Sequence, residues 1–261
     1  MPELIVHHAD RVSTVTIANA SRRNCLTAEL LGALIAALDA ACQDATRALI
    51  LRAEPGVQTW SAGHDITELP QDGSDPLSWR NPLEGLLRSV RQAPFPVIAA
   101  VEGSVWGGAC NLVVACDLVV ATRSSTFAIT PAKLGIPYNS AGLGHFMGAL
   151  PVNLAKEMLF TADPLTAQQL AEVGLVNRLV EDEPGMTAAA SALAARIAAL
   201  APLSIRAMKA EMNALIDARN LNSDLFEHLT SLRRDAWASA DYREGLSAFA
   251  ERRPAQFTGE V

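Results

Sequence analysis

The chain has few of the residues that staple, metallate or span. Its 261 residues include four cysteines, two tyrosines and five histidines, and aromatic side chains make up only 5%. Cys25, Cys42, Cys110 and Cys116 form no CxxC pair and no framework spacing. They read as small buried hydrophobes in a reducing compartment rather than as disulfides or zinc ligands. His7 and His8 are adjacent, but no third ligand follows at useful spacing, so no metal site is expected. Basic residues are in the minority, 21 Lys and Arg against 28 Asp and Glu, for a net charge of −7. That balance argues against a nucleic-acid partner or a membrane-surface partner, while leaving room for a local positive site that takes an anionic ligand. Long hydrophobic runs are missing too. Pro96–Val101 and Leu112–Ala121 are too short or interrupted to cross a bilayer. The N-terminus shows no basic stretch followed by an apolar one, so no secretory signal is visible and a soluble, cytoplasmic protein is expected.

Half of the residues are hydrophobic, enough for a substantial core and too many for disorder. Two β-like runs, Glu3–His8 and Arg11–Ala18, predict a hairpin, with Ser13, Val15 and Ile17 on one face. Thr27 is placed to cap a helix running through Leu30, Leu31, Leu34, Ile35 and Leu38. Arg47–Arg52 reads as a buried strand. Leu69–Pro82, with Pro70, Gly73, Pro76 and Pro82, reads as a loop. A helix over Leu83–Gln92 leads through two prolines into the strand VIAAVEG, then a glycine turn, a short helix and a strand at Asp117–Ala121. Strand and helix alternate, which indicates an α/β fold with crossover connections. The second half reads as mostly helical, with Val176–Val180 as a strand and helices over Thr187–Leu200, Pro202–Ala218 and Ser223–Trp237.

Two glycine turns carry the chemical signal. Ser61-Ala62-Gly63-His64-Asp65-Ile66 permits close backbone approach, and Asp65 is placed to start a helical turn. Glu102 through Ala109 (EGSVWGGA) leads straight into a helix, whose first amides lack intrahelical partners and sit at the positive end of the dipole. One amide from each turn aimed at a single oxygen would make an oxyanion hole. Either turn alone is also what a tight connection requires.

SAGHDI followed by PVIAAVEGSVWGGACN resembles the crotonase (enoyl-CoA hydratase/isomerase) superfamily. SRRNCLTAEL, CDLVVAT, FTADPLTAQQLAEVGLVNRLV and the ending SAFAERRPAQF extend the likeness over nearly the whole chain. The resemblance implies a spiral of ββα units over residues 1–200 and a C-terminal helical trimerisation region over 201–261, assembled as a homotrimer or a dimer of trimers. It implies an acyl-CoA thioester substrate, with CoA as part of the substrate and no separate cofactor. The thioester carbonyl would accept from the amides of His64 and Gly108. Arg22, Arg23, Cys25, Ala62, Gly63, Asp65 and Ile66 would line the CoA channel, and Arg252, Arg253 and Phe257 would form a tail near the nucleotide. Taken singly, Arg22 and Arg23 read equally well as a solvated basic pair.

Hydratases of the superfamily use two glutamates as acid and base. Those positions fall here on Asn111 and Pro131, neither of which exchanges a proton with water. SAGHDITELP, DPLSW, VEGSVWGG and TPAKLGIPYN resemble instead the branch that decarboxylates methylmalonyl-CoA. Decarboxylation leaves the same enolate but needs no base, and there Tyr138 would hold the scissile carboxylate. Members resembling that branch also carry Glu at the position of Asn111, which bears on the acyl substituent more than on the enolate. Asp65, Glu68 and His145 are the groups that would supply an acid or base if the reaction were a hydration, isomerisation or thioester hydrolysis. A catalytically idle acyl-CoA-binding subunit is the reading outside enzymes.

Overall fold

A computed structural model describes residues 4–259, except 71–73, 76, 79 and 219–222. Glu3 of the expected hairpin, Gly73 and Pro76 of the expected loop, and Trp79 of DPLSW lie outside the described residues. The hairpin forms as β1 (Leu4–Ala9) and β2 (Val12–Ile17), paired antiparallel, with Ser13, Val15 and Ile17 turned inward. Thr27 accepts from the Leu30 amide and starts α1 (Ala28–Gln43). There follow β3 (Ala48–Ala53), β4 (Thr59–Ser61), α2 (Pro82–Gln92), β5 (Val97–Val101), β6 (Ser104–Trp106), α3 (Gly108–Ala115), β7 (Leu118–Thr122) and β8 (Thr126–Ala128). The second half contributes α4 (Ser140–Ala149), α5 (Val152–Thr161), β9 (Leu165–Thr166), α6 (Ala167–Glu172), β10 (Arg178–Val180) and α7 (Glu183–Ala198). The chain closes with α8 (Pro202–Asp217), α9 (Ser223–Ala238) and α10 (Ala240–Glu251).

Successive strands divide between two sheets. The larger has the order β1-β2-β3-β5-β7-β10 and the smaller β4-β6-β8-β9. Thus β3 and β4, β5 and β6, and β7 and β8 each send one strand to either sheet, which winds the chain into the expected spiral of ββα units. Alternation along each strand feeds both faces. Leu49 and Leu51 join the large core with α1, α2 and α3, while Ile50, Ile98 and Val120 meet Met186, Ala190 and Ala194 of α7.

The expectation for the cysteines needs correction. Cys42 is exposed on the outer face of α1, and Cys25 and Cys116 are half-buried, so only Cys110 is the fully buried small hydrophobe expected of all four. Position on an amphipathic helix decided this, not residue type. His145 lies within α4. Ahead of the C-terminal tail, α10 folds back, with Gly245 pressed on the Leu134 backbone and the Tyr242 hydroxyl donating 2.7 Å to Pro70 O.

The C-terminal helices are also clamped by one buried cation. Lys209 on α8 donates to Val90 O at 2.9 Å, Phe95 O at 3.0 Å and the Asp117 carboxylate at 2.7 Å. Lys209→Met takes this donor from two carbonyls and leaves the half-buried Asp117 carboxylate without its counter-charge. The expected loss is about 3–5 kcal/mol, read as a lower urea midpoint; an unchanged midpoint would remove the clamp from the account.

Candidate active site

The first turn is held by a short parallel bridge. Leu26 donates its amide to Gly63 O at 2.8 Å, and Asp65 donates its own to Leu26 O at 3.2 Å. In such a pairing the residue between, His64, turns its N–H away from Leu26. Behind it, buried Asn24 ties the preceding loop to β4: its Nδ2 donates to Trp60 O at 3.0 Å and its Oδ1 accepts from Asn19 N. The Ser61 hydroxyl donates to Asn24 O at 2.6 Å.

The second turn is held against the first by two glycines. Gly107 has φ 53° and ψ −121°, a backbone open only to glycine, and it delivers Gly108 as the first residue of α3. Gly63, at φ 84°, lies so close that a Cβ there would collide with the Trp106 carbonyl and stand 3.2 Å from Gly108 N. A Cβ on Gly108 would stand 3.6 Å from His64 N. The two expected donors are therefore neighbours across a backbone-to-backbone contact. Neither donates to a protein acceptor among the described residues, and Gly108 N–H has the helix dipole behind it.

Both face a cavity of about 620 Å³. Arg22, Arg23, Cys25, Ala62, Asp65, Ile66 and Tyr138 are among the residues that line it. Gly63 does not line it; this residue stands behind the wall as the spacer that brings the turns together. Phe249 and Arg252 of the C-terminal region reach the cavity from the same chain. Arg253 instead pairs with Glu244 and Glu251 on the surface. Thr130, in the wall beside Gly107, was missed by sequence reasoning. Its hydroxyl makes no capping bond at the turn it precedes; the signal was a threonine directly before Pro131.

The walls hold few ionised groups. Asp65 is the cavity's one carboxylate among the described residues, and Arg22 pairs with it at 2.8 Å. Burial works against its charge, but hydrogen bonds from Thr67 and the charge of Arg22 outweigh this and hold the carboxyl below its usual range. Glu68 is turned away to accept from the Ala28 amide at 2.8 Å. Burial pushes the His64 imidazole below its usual range, which keeps it neutral, and its Nδ1 is buried without a hydrogen-bond partner. Burial likewise raises Tyr138, so its hydroxyl stays protonated. That hydroxyl lies 3.4 Å from Gly107 O, at the long limit of hydrogen bonding, and its ring meets Phe146 edge-on at 5.7 Å. Pro131 lines the cavity, whereas Asn111 is buried behind it and accepts from His145. No group of three or more His, Cys, Asp or Glu gathers at metal-binding distances among the described residues.

A family model described as enoyl-CoA hydratase/isomerase matches residues 7–260. The chain belongs to that family. Among curated relatives, it is 39% identical to methylmalonyl-CoA decarboxylase of Escherichia coli (strain K12), over 96% of this chain and 95% of that protein. It is 30% identical to 2,3-dehydroadipyl-CoA hydratase of the same strain, over 99% of this chain and 100% of that one. A solved structure of methylmalonyl-CoA decarboxylase complexed with 2S-carboxypropyl CoA superposes with a TM-score of 0.97 at 38% identity, covering 100% of this chain and 99% of that one. Carnitinyl-CoA hydratase from Mycobacterium avium superposes at 0.83 with 28% identity, each chain fully covered. Family membership thus accounts for the paired amides, and the side chains around them choose the reaction.

The depressed histidines give a pH prediction. His145 is pushed down to about 4, first by burial and then by Arg91. The unfolded chain binds that proton from about pH 6.5, the folded chain only near pH 4, so stability is full above the higher value and falls as pH drops between them. The expected loss is about 3 kcal/mol from this ring alone, with His64 adding in the same direction. Urea melts at pH 7 and pH 4.5 measure it; His145→Gln should flatten the difference.

Proposed function

We propose that this family member decarboxylates methylmalonyl-CoA, or a close substituted malonyl-CoA, to propionyl-CoA or its homologue. The observation that carries the reading is a cavity with two free amide donors and no carboxylate left free to act as a base. Asp65 is neutralised by Arg22 near the channel, Glu68 caps α1, and His145 lies outside the cavity, bonded to Asn111. Proline stands at one glutamate position of the hydratases and a tied-up amide at the other. The decarboxylase among the relatives supports the same choice, although the hydratases are relatives too.

In this reading the thioester oxygen accepts from His64 and Gly108 N–H. The bond from the α-carbon to the carboxylate breaks, its electron pair enters the enolate, and CO₂ leaves. Water then protonates the α-carbon. The amides gain strength as charge reaches the oxygen, which lowers the barrier more than it tightens substrate binding. The hydroxyls of Tyr138 and Thr130 donate to the departing carboxylate and hold its C–C bond across the thioester plane. Arg22 and Arg252 at the mouth suit CoA phosphates. The chain also assembles as a trimer or dimer of trimers in this reading. Leu203, Met212 and Leu215 on α8 and Phe226 and Leu232 on α9 leave an exposed apolar surface, which is what such contacts would cover.

The test is CO₂ release from methylmalonyl-CoA beside hydration of crotonyl-CoA. Release without hydration is expected; hydration without release would overturn the proposal, and bound thioester with neither would indicate the idle subunit. Two substitutions at one position isolate the amide. Gly108→Ala keeps the donor and adds a methyl 2.7 Å from the Leu83 Cδ2 end, which must turn aside, while Gly108→Pro removes it where helices accept proline. The proline variant should turn over about 10²–10³ times more slowly than the alanine variant. Tyr138→Phe should lower kcat and spare thioester binding; unchanged turnover would remove its role.

A further inference from the structure

Behind the cavity wall runs a chain of hydrogen bonds that the oxyanion mechanism leaves unused. Arg91 Nη2 donates to both oxygens of the Asp217 carboxylate on α8, at 2.8 and 2.9 Å. The other Arg91 nitrogen lies 3.3 Å from His145 Nε2, and His145 Nδ1 lies 3.1 Å from Asn111 Oδ1. A guanidinium only donates, so Nε2 must accept and the ring proton must sit on Nδ1. The ring therefore donates to Asn111, and the carboxamide can present only its Nδ2 hydrogens in the other direction. Asn111 is three residues beyond Gly108, on the same face of α3 as the oxyanion donor. Its Nδ2 converges with the Tyr138 ring over the bare Cα of Gly142: a methyl there would lie 3.2 Å from Nδ2 and 2.6 Å from Tyr138 Cδ1.

We propose that His145 is a positioning residue. Held as its Nδ1–H tautomer by Arg91 and Asp217, it fixes the Asn111 carboxamide as a donor beside Tyr138 and so sets the acyl end of the cavity. A carboxylate at position 111 would accept the same His145 proton and present an anion there. The chain thus explains how an amide is held in place at a position where hydratases carry a glutamate, and why the acyl end remains uncharged. The kinetic part of the proposal rests on the enolate-forming reading; the tautomer does not.

The charged groups around the ring are Arg91, Arg88 and Glu84 from α2, Asp117 after α3, and Lys209 and Asp217 from α8. Lys209 and Asp117 neutralise each other at 2.7 Å, and Asp217 is taken by Arg91, so the cationic Arg91 dominates at Nε2. Nitrogen-15 NMR of the whole protein should find His145 neutral and Nδ1-protonated from about pH 5 to 8. Asn111→Asp should bring the ring's titration into that window and give turnover a matching pH dependence. A Nε2–H tautomer, or a wild-type midpoint near 6.5, would overturn the proposal.

His145→Leu should lower kcat about tenfold while KM and thioester affinity stay within about twofold, because misplaced site groups cost rate before binding. His145→Gln, which can accept from Arg91 and donate to Asn111, should restore most of the rate. Equal losses in both variants, or none in the leucine variant, would refute the positioning role. If the wild type releases no CO₂ but turns over another thioester, the same comparison is made on that substrate. Failure of the decarboxylation reading is then separate from failure of the relay.

Discussion

The site depends on one backbone contact. Gly63 lies against the Trp106–Gly108 segment so closely that no side chain fits between them, and from that contact His64 and Gly108 both face the same cavity. Everything around it keeps the distance fixed. The Leu26 bridge orients one amide, Asn24 and Ser61 anchor its loop to β4, and Gly107 delivers the other amide to the start of a helix. Donors built from backbone cost no side-chain entropy to hold in place, which suits the proposed task of meeting a charge that appears only during reaction.

The surrounding electrostatics serve the same end. His64, His145 and Tyr138 are all pushed toward their neutral forms by burial, and Asp65 is balanced by Arg22. A substrate carrying its own carboxylate meets hydroxyls and amides rather than a second anion. A carboxylate base of the kind that hydratases use would have to stand free in the same cavity, and the described lining does not contain one. The same neutrality that favours the chemistry has a cost at low pH, where the unfolded chain takes up protons that the folded site refuses.

Much of the fold could be read from local pattern. Thr27 and Asp65 were recognisable caps because their side chains bond amides two or three residues ahead, within the same stretch of chain. The alternation in β2 and the spacing in α1 disclosed buried faces for the same reason. The family likeness, carried by SAGHDI and EGSVWGGACN, then named the two amides before any geometry was known. Cys42 failed because residue type does not say which side of a helix faces out. No local pattern pointed to the contacts that anchor α10, because its partners, Pro70 and Leu134, are far away in sequence.

What the sequence by itself determined is therefore the strands of the larger sheet, several of the helices, the two glycine turns and the absence of glutamate at positions 111 and 131. These follow from chain stereochemistry and side-chain identity over a few residues. Only the tertiary structure decided that Gly63 is a spacer and not a lining residue, that Thr130 enters the wall, and that Asp65 is spent on Arg22. It alone joined Asp217, Arg91, His145 and Asn111, which come from four separate helices, into one line behind Tyr138. Hydrogen-bond partners across helices depend on how the helices cross, and the crossing is settled by packing of the whole core rather than by any local signal.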